Sequence, residues 1–280
     1  MINRGDLTFW LSEDVIHSWN GDLNQRMDRP KLYSDLAIET ALTLRLLFKL
    51  PLRQTEGFLK SIFGLMNFDP SVPDHTTLSS RHQTLKTKFK RIGKPIGRVD
   101  LVIDSTGLVI HGEGRWTCHK HGKRKRRGWQ KLYIGVSHGL IVANQLSEDR
   151  TTDGEIAPHL IHQVEQIDSI TADKGYDQSR VYEAANDTLK EGGQINIHPR
   201  ANAVISASDE AALRQRNLHV KSIDEDGELA WRRTSGYYGQ STVENMFFLY
   251  KKMIGDELRA RGKNSRRVNF VIVCNILKIA

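Results

Sequence analysis

The sequence predicts an α/β domain built on a mixed sheet and preceded by an all-helical region. Three observations carry this. Apolar residues recur at helical spacing through residues 34–90, and short apolar runs of strand character begin near residue 100. From there strands come first, then helices and strands alternate up to a closing helix that ends near residue 255.

In the helical region, Ser34 and Asp35 read as a helix start, and Leu36, Ala37, Thr40, Ala41, Leu44, Leu47 and Phe48 follow at helical spacing until Pro51. A second amphipathic stretch runs from Leu52 to Met66. After Pro70 and Pro73, a third helix is expected from Thr76 to about Ile92, carrying Arg81, His82, Lys86, Lys88, Lys90 and Arg91. Three short helices with a basic last one suit a helix-turn-helix-like DNA reader. They suit equally a plain bundle with a solvated basic face. Gly93, Pro95 and Gly97 break the helical pattern, which divides the chain into residues 1–95 and 96–280.

Beyond the break, Leu101–Ile103 reads as a buried strand, and Gly107–Ile110 as a second one across a tight connection. Leu132–Val136 and Leu140–Gln145 form a hairpin that turns at His138-Gly139. A helix over Ile156–Gln166, a strand over Ser169–Ala172, a helix over Ser179–Lys190 and a strand over Gln194–His198 come next. Residues 207–217 read as a helix and 219–233 as a small hairpin carrying Trp231. The closing helix, Thr242–Gly255, places Val243, Met246, Phe247, Tyr250, Met253 and Ile254 on one apolar face.

Composition excludes several classes. Of the 280 residues, 39% are hydrophobic and 26% charged, as in globular proteins. No apolar run is long enough for a membrane helix. Met1–Trp10 is polar, contains Arg4 and Asp6 and lacks the apolar core of a secretory signal, so a cytoplasmic location is expected. The two cysteines, Cys118 and Cys274, lie far apart and outside any C-x-x-C pair, which argues against a disulfide framework or a zinc ribbon. Cys118, His119 and His121 lie too close together in sequence for the usual zinc spacing. There is no Gly-Lys-Ser/Thr phosphate loop and no G-x-S-x-G elbow, so neither nucleotide hydrolysis nor serine hydrolysis has support.

With 41 basic and 33 acidic residues the net charge is +8, which favours a polyanion partner. Its distribution says more. The stretch Arg115–Lys131 holds Arg115, Lys120, Lys123, Arg124, Lys125, Arg126, Arg127 and Lys131, two histidines and no acid, with Trp116 and Trp129 near its ends. Such a segment can neutralise phosphates, and its indoles can stack on unpaired bases. A solvated basic loop is the simpler alternative.

Three acidic residues stand where chemistry is expected. Asp104 follows the strand run Leu101–Ile103, Asp173 follows Ser169–Ala172, and Glu244 lies one turn into the closing helix. Carboxylates at the ends of central strands are costly to bury unless paired or metal-bound. If the two strands are neighbours, Asp104 and Asp173 converge. Three carboxylates can hold two Mg²⁺ ions for phosphodiester chemistry. Each also has a plainer reading: Asp104 and Asp173 can cap the turns after them, and Ser241 with Glu244 is a capping box by pattern. Asp153 and Asp177 read as turn or cap residues.

These residues together resemble the bacterial insertion-sequence transposases with an acidic DDE triad on a ribonuclease-H-like core. Within them the likeness is to the group whose last motif reads Tyr, two residues, Arg, three residues, Glu, six residues, Lys. Tyr237, Glu244 and Lys251 stand in that register, Asp104 lies in Val-Ile-Asp-Ser-Thr-Gly, and Asp173 in Ala-Asp-Lys-Gly-Tyr-Asp. Further matches are Pro73–Ser79, His121-Gly122-Lys123 and Trp129–Leu132. The resemblance implies that Asp104, Asp173 and Glu244 bind two Mg²⁺ or Mn²⁺ ions. It implies that Lys251 meets DNA phosphate near the cut and that Tyr237 supports DNA binding, with a short insertion before the last acid. The implied partners are double-stranded terminal repeats and target DNA, held by a dimer or larger assembly in the bacterial nucleoid, with no membrane and no nucleotide.

The motif's arginine position is Gln240, which removes a charged phosphate donor. Restoring the arginine is therefore expected to raise strand transfer. The chain also stops at Ala280, short of the family's usual extension. Sequence thus leaves three readings: a transposase that cuts and joins, an impaired or shortened copy that only binds DNA, and an endonuclease that cuts without joining.

Overall fold

The computed structural model describes residues 17–21, 32–89, 97–110, 129–148, 151–207 and 210–277. Its two compact units are not consecutive stretches: Met1–Lys88 with Gly262–Ile272 form one, Phe89–Arg261 with Val273–Ala280 the other.

In the first unit, helices α1 (Asp35–Leu47), α2 (Leu52–Leu65) and α3 (His75–Thr84) follow one another. Ser34 Oγ accepts from the Ala37 N–H at 3.0 Å and starts α1. Asp74 Oδ1 starts α3 by accepting from the N–H groups of Thr76 and Thr77 at 2.8 and 2.7 Å. Ala37, Ile38, Ala41 and Leu42 of α1, Leu59, Ile62 and Phe63 of α2, and Leu78 of α3 are buried. Trp19 adds its ring, edge-on to Phe63 at 4.9 Å. Helix α3 is shorter than sequence suggested. It stops at Thr84, and Leu85 turns extended and buries its side chain. Lys86 and Lys88 therefore lie beyond the helix.

The second unit is built on a sheet of order β3-β2-β1-β4-β5. Its strands are β1 (Asp100–Ile110), β2 (Trp129–Ser137), β3 (Leu140–Glu148), β4 (Ile167–Ala172) and β5 (Leu189–Ile197). The first three are antiparallel neighbours, whereas β1, β4 and β5 run parallel. The β2–β3 turn has His138 and Gly139 both left-handed, at φ 50° and 73°, as a two-residue hairpin requires.

The tight connection expected between Ile103 and Gly107 does not exist. The backbone runs straight through Asp104-Ser105-Thr106, because β2 supplies ladder partners from Val102↔Val136 to Val109↔Trp129. Gly107 allows the Trp129 ring to lie against the strand, where an added Cβ would sit 3.2 Å from it.

Helices α4 (Asp153–Ile161) and α5 (Ser179–Thr188) share one core with one face of the sheet. Ile156, Leu160, Val181 and Tyr182 pack there with Leu101, Ile103, Ile170, Ala172, Ile195 and Ile197. The small hairpin expected over 219–233 is instead helical. Helix α6 (Ala211–Asp226) turns at Gly227, φ 84°, into α7 (Glu228–Thr234). The sequence reads Trp231 as part of that hairpin. Packing decided otherwise: Trp231 is buried, and its indole N–H donates to His219 Nδ1 at 2.8 Å.

Helix α8 (Gln240–Ile254) packs against β1 and β2 and buries Val243, Met246, Phe247 and Tyr250. The two-residue strand β6 (Glu257–Leu258) pairs with the end of β1. Helix α9 (Lys263–Leu277) follows in the chain, and its residues up to Ile272 belong to the first unit. This mixed sheet, antiparallel on one side of β1 and parallel on the other, with helices flanking it, is the ribonuclease-H-like architecture implied by the resemblance. No helix among the described residues is long and apolar enough to cross a membrane.

Candidate active site

The site begins with strand register. Strands β1 and β4 are parallel neighbours, and Ile103 pairs with Ala172. Asp104 is the next residue of β1 and Asp173 follows the last residue of β4, so the two acids stand side by side where β4 ends. Parallel strands lie about 5 Å apart, which brings the carboxylates together without help from loops. Strand β5 extends the row: Ala172 pairs with Ile197, so His198 comes next to Asp173.

Asp104 is not a turn cap, since β1 continues to Ile110. Its Oδ1 accepts from the Ser105 N–H at 2.7 Å. Burial raises its pKa to about 6 against that hydrogen bond, and Asp173, Asp153 and Glu244 add repulsion in the same direction. Asp173 does cap: Oδ1 accepts from Gly175 N–H at 2.8 Å and starts the short 3-10 turn Lys174–Tyr176. Burial raises its pKa as well, opposed by that N–H and reinforced by Asp153. Burial also pushes the Tyr176 phenol far up, helped by Asp104, Asp153 and Asp173. A negative field fills this end of the sheet.

Strand alternation turns Asp104 to the side of Val102, opposite Leu101 and Ile103. Glu244 on α8 is exposed, and its charge is felt at Asp104. The capping box read from Ser241 and Glu244 is not formed: α8 starts at Gln240 with Gly239 as its cap, and the Ser241 hydroxyl donates to Tyr238 O at 3.0 Å. Lys251 is exposed seven residues on from Glu244, two turns along the same helix. Tyr237 is half-buried beneath the Arg232 guanidinium, 5.4 Å from its ring centroid, and packs on Trp231 and His198. Burial raises its pKa, and Asp173 adds to the rise.

Two expected DNA contacts stand differently. Gln240 is buried, 8% exposed, and its amide oxygen has no partner among the described residues. It starts α8 with its side chain turned inward, as that of Val243 is, while Ser241 and Glu244 of the same turn are exposed. Lys131 is paired with Asp153, Nζ to Oδ1 3.0 Å. Trp129 is partly exposed at the start of β2. Lys120, Lys123, Arg124, Lys125, Arg126 and Arg127 lie outside the described residues, as do Trp116, Cys118, His119 and His121.

Sequence reasoning missed Asp153, whose carboxylate reaches three donors on β1 and β2, and His198, whose Nε2 lies 3.1 Å from Glu228 Oε1. Asp177 does cap the 3-10 turn Lys174–Tyr176 at its end, but its side chain does more. It is buried against Arg216 and Tyr182. The parallel register was the signal for His198, because its strand was legible. Nothing local marked Asp153, since its partners lie on β1 and β2.

The donor set suits a hard divalent cation: oxygen only, two groups desolvated, and no ion pair to Asp104 or Asp173 among the described residues. Among those residues no three His, Cys, Asp or Glu side chains stand close enough to hold an ion by themselves. A cation here would take one or two carboxylates and complete its shell with water or phosphate oxygen, as Mg²⁺ commonly does.

The chain belongs to the family described as transposase DDE domain, whose model matches residues 95–277. A second model of the same description matches residues 2–113. Among solved structures it is similar to the Drosophila P element transposase strand transfer complex, at 11% identity and TM-score 0.32 over 92% of this chain and 62% of that one. It is also similar to the Mos1 transposase paired-end complex with left transposon end, at 9% identity and TM-score 0.26 over 83% of this chain and 81% of that one. The chain thus spans 62% of the length of the P element protein it matches.

Proposed function

We propose that this protein is an insertion-sequence transposase of the Tyr-x2-Arg-x3-Glu-x6-Lys group. It would bind terminal inverted repeats, cut the DNA there and join the freed 3′ ends to a target. The observation that carries the reading is the parallel register Ile103↔Ala172, which supports a convergent pair of desolvated carboxylates with Glu244 in electrostatic reach.

Asp104, Asp173 and Glu244 would hold two Mg²⁺ or Mn²⁺ ions. Bound there, such ions activate the attacking water or 3′-hydroxyl and stabilise the leaving oxygen. The chain's own residues do the positioning. The Ser105 and Gly175 N–H groups each fix one oxygen of a carboxylate, and the other has no hydrogen bond among the described residues. Lys251, exposed two turns from Glu244, would meet a phosphate, and Tyr237 would support the DNA beside Asp173. Residues 1–95 would read the repeats and residues 96–280 carry out the chemistry, on a dimer or larger assembly on DNA in the bacterial nucleoid.

The test is a gel assay with purified protein, labelled element-end DNA and a target plasmid, in Mg²⁺ or Mn²⁺ against EDTA, beside Asp104→Ala. Metal-dependent nicking and joined products, both lost in the mutant, are expected. A folded protein that shifts the DNA and never cuts it would overturn the catalytic reading and leave a DNA-binding copy. Nicking without joined products would leave an endonuclease.

A further inference from the structure

We propose that Asp153 is a positioning residue of the carboxylate site, fixing Asp104 through Ser105 and stationing Lys131 at the same end of the sheet. The inference rests on the reading of that site as the place where DNA is cut.

In sequence Asp153 is an ordinary first-turn acid of helix α4. The first turn of α4 does not occupy its carboxylate. Glu155 Oε2 accepts from the Thr152 N–H at 2.9 Å and closes that turn. Asp153 Oδ1 instead gathers three donors from two strands: Ser105 Oγ at 3.2 Å, Lys131 Nζ at 3.0 Å and Tyr133 OH at 3.0 Å. Register explains the convergence. Ser105 pairs with Tyr133 across β1 and β2, and Lys131 lies two residues along on the same face.

Ser105 is the link to chemistry. Its backbone N–H holds Asp104 Oδ1 while its hydroxyl is held by Asp153. The second oxygen of Asp153 faces the Asp173 turn. A Cβ added to Gly175 would sit 3.1 Å from Asp153 Oδ2 and 3.0 Å from Asp173 Oδ1. The two carboxylates therefore flank one glycine, and a larger residue there would push them apart. One side chain thus bonds the support of Asp104 and borders the space beside the support of Asp173.

The Lys131 pair, its side chains 33% and 25% exposed, is too open to matter much for stability. Its consequence is placement: the ammonium is held against Asp153, on the face of β2 that carries Tyr133. Truncating a group that orients metal-binding carboxylates typically costs about 10–100-fold in metal affinity or activity.

The experiment uses the full chain as wild type, Asp153→Ala, Asp153→Asn and Ser105→Ala. It reads the Ser105 amide proton by ¹H–¹⁵N NMR in EDTA and the Mg²⁺ dependence of nicking on labelled element-end DNA. In Asp153→Ala the Ser105 resonance is expected to move upfield, and nicking to fall or its Mg²⁺ half-saturation to rise about 10–100-fold, with DNA binding in EDTA not weakened. Asp153→Asn keeps an acceptor oxygen for Ser105 and Tyr133, and is expected to restore the resonance and most of the nicking. If Asp153→Ala does not fold, Ser105→Ala, which removes only the hydroxyl link, is expected to shift the Mg²⁺ dependence the same way, and an unchanged dependence overturns the proposal. An unmoved Ser105 resonance with wild-type Mg²⁺ dependence in folded Asp153→Ala overturns it too. If wild type never nicks, the reading of the site fails separately. The resonance then decides the link alone: a shift rescued by Asn supports it, and no shift overturns it.

Discussion

Asp177 and Arg216 form a bidentate ion pair, Oδ1 to Nε 2.6 Å and Oδ2 to Nη2 3.1 Å, with the Asp177 side chain 1% exposed. Tyr182 OH and the Arg200 N–H bond the same carboxylate. Burial pushes the Asp177 carboxyl up, yet Arg216 and the Arg200 N–H outweigh it and hold the pKa below the ordinary value. The pair ties α6 to the segment four residues beyond Asp173. Arg216→Met should therefore destabilise the protein by about 3–5 kcal/mol, the usual result of orphaning a buried charge. Urea unfolding checks this, and a loss of only a few tenths would show that Asp177 finds solvent instead.

Asp104 has the opposite balance. Its carboxyl is raised to about 6, so it favours the fold at low pH and loses that contribution as pH rises through about 6. In EDTA at pH 8, Asp104→Asn should stabilise the protein by roughly 1–3 kcal/mol. At pH 4 and below the gain should vanish. Thermal melts at both pH values decide, and equal stability of mutant and wild type at pH 8 would contradict the burial of an uncompensated charge.

The same proton competes with a cation. Mg²⁺ half-saturation of cleavage should be flat above pH 7 and rise about tenfold per pH unit below 6. A metal titration of nicking at several pH values measures it.

Sequence alone makes Gln240→Arg a gain of function, because it restores a phosphate donor. Burial of Gln240 reverses that expectation. Overfilling the start of α8 and burying a guanidinium should cost about 1–3 kcal/mol without raising the yield of joined products. Melting curves and the joining assay, run together, test both halves.

In the first unit, His82 is buried and lowered to about 4, by burial first and then by the charge of Arg45. A depressed histidine contributes stability above its unfolded pKa, near 6.5. That contribution drains away as pH falls towards 4, by up to about 3 kcal/mol. Acid titration of stability should be shallower in His82→Gln, and an identical curve would mean that another group sets it.

Local chemistry made much of this protein legible in its sequence. Helical spacing marks α1, α2 and α8, the His138-Gly139 pair fixes the β2–β3 hairpin, and apolar runs ending in Asp104 and Asp173 mark two strands and two acids. Such signals lie within a few residues of one another, so no partner is needed to see them. Tertiary structure alone decided the rest. The continuity of β1 through Asp104 needed β2 as its ladder partner. The helical form of residues 219–233 needed Trp231 packed on His219. The inward turn of Gln240 and the three donors gathered on Asp153 needed strands and helices to meet. Hydrogen bonds and burial between distant segments leave no periodic trace in either segment, and so only the folded chain displays them.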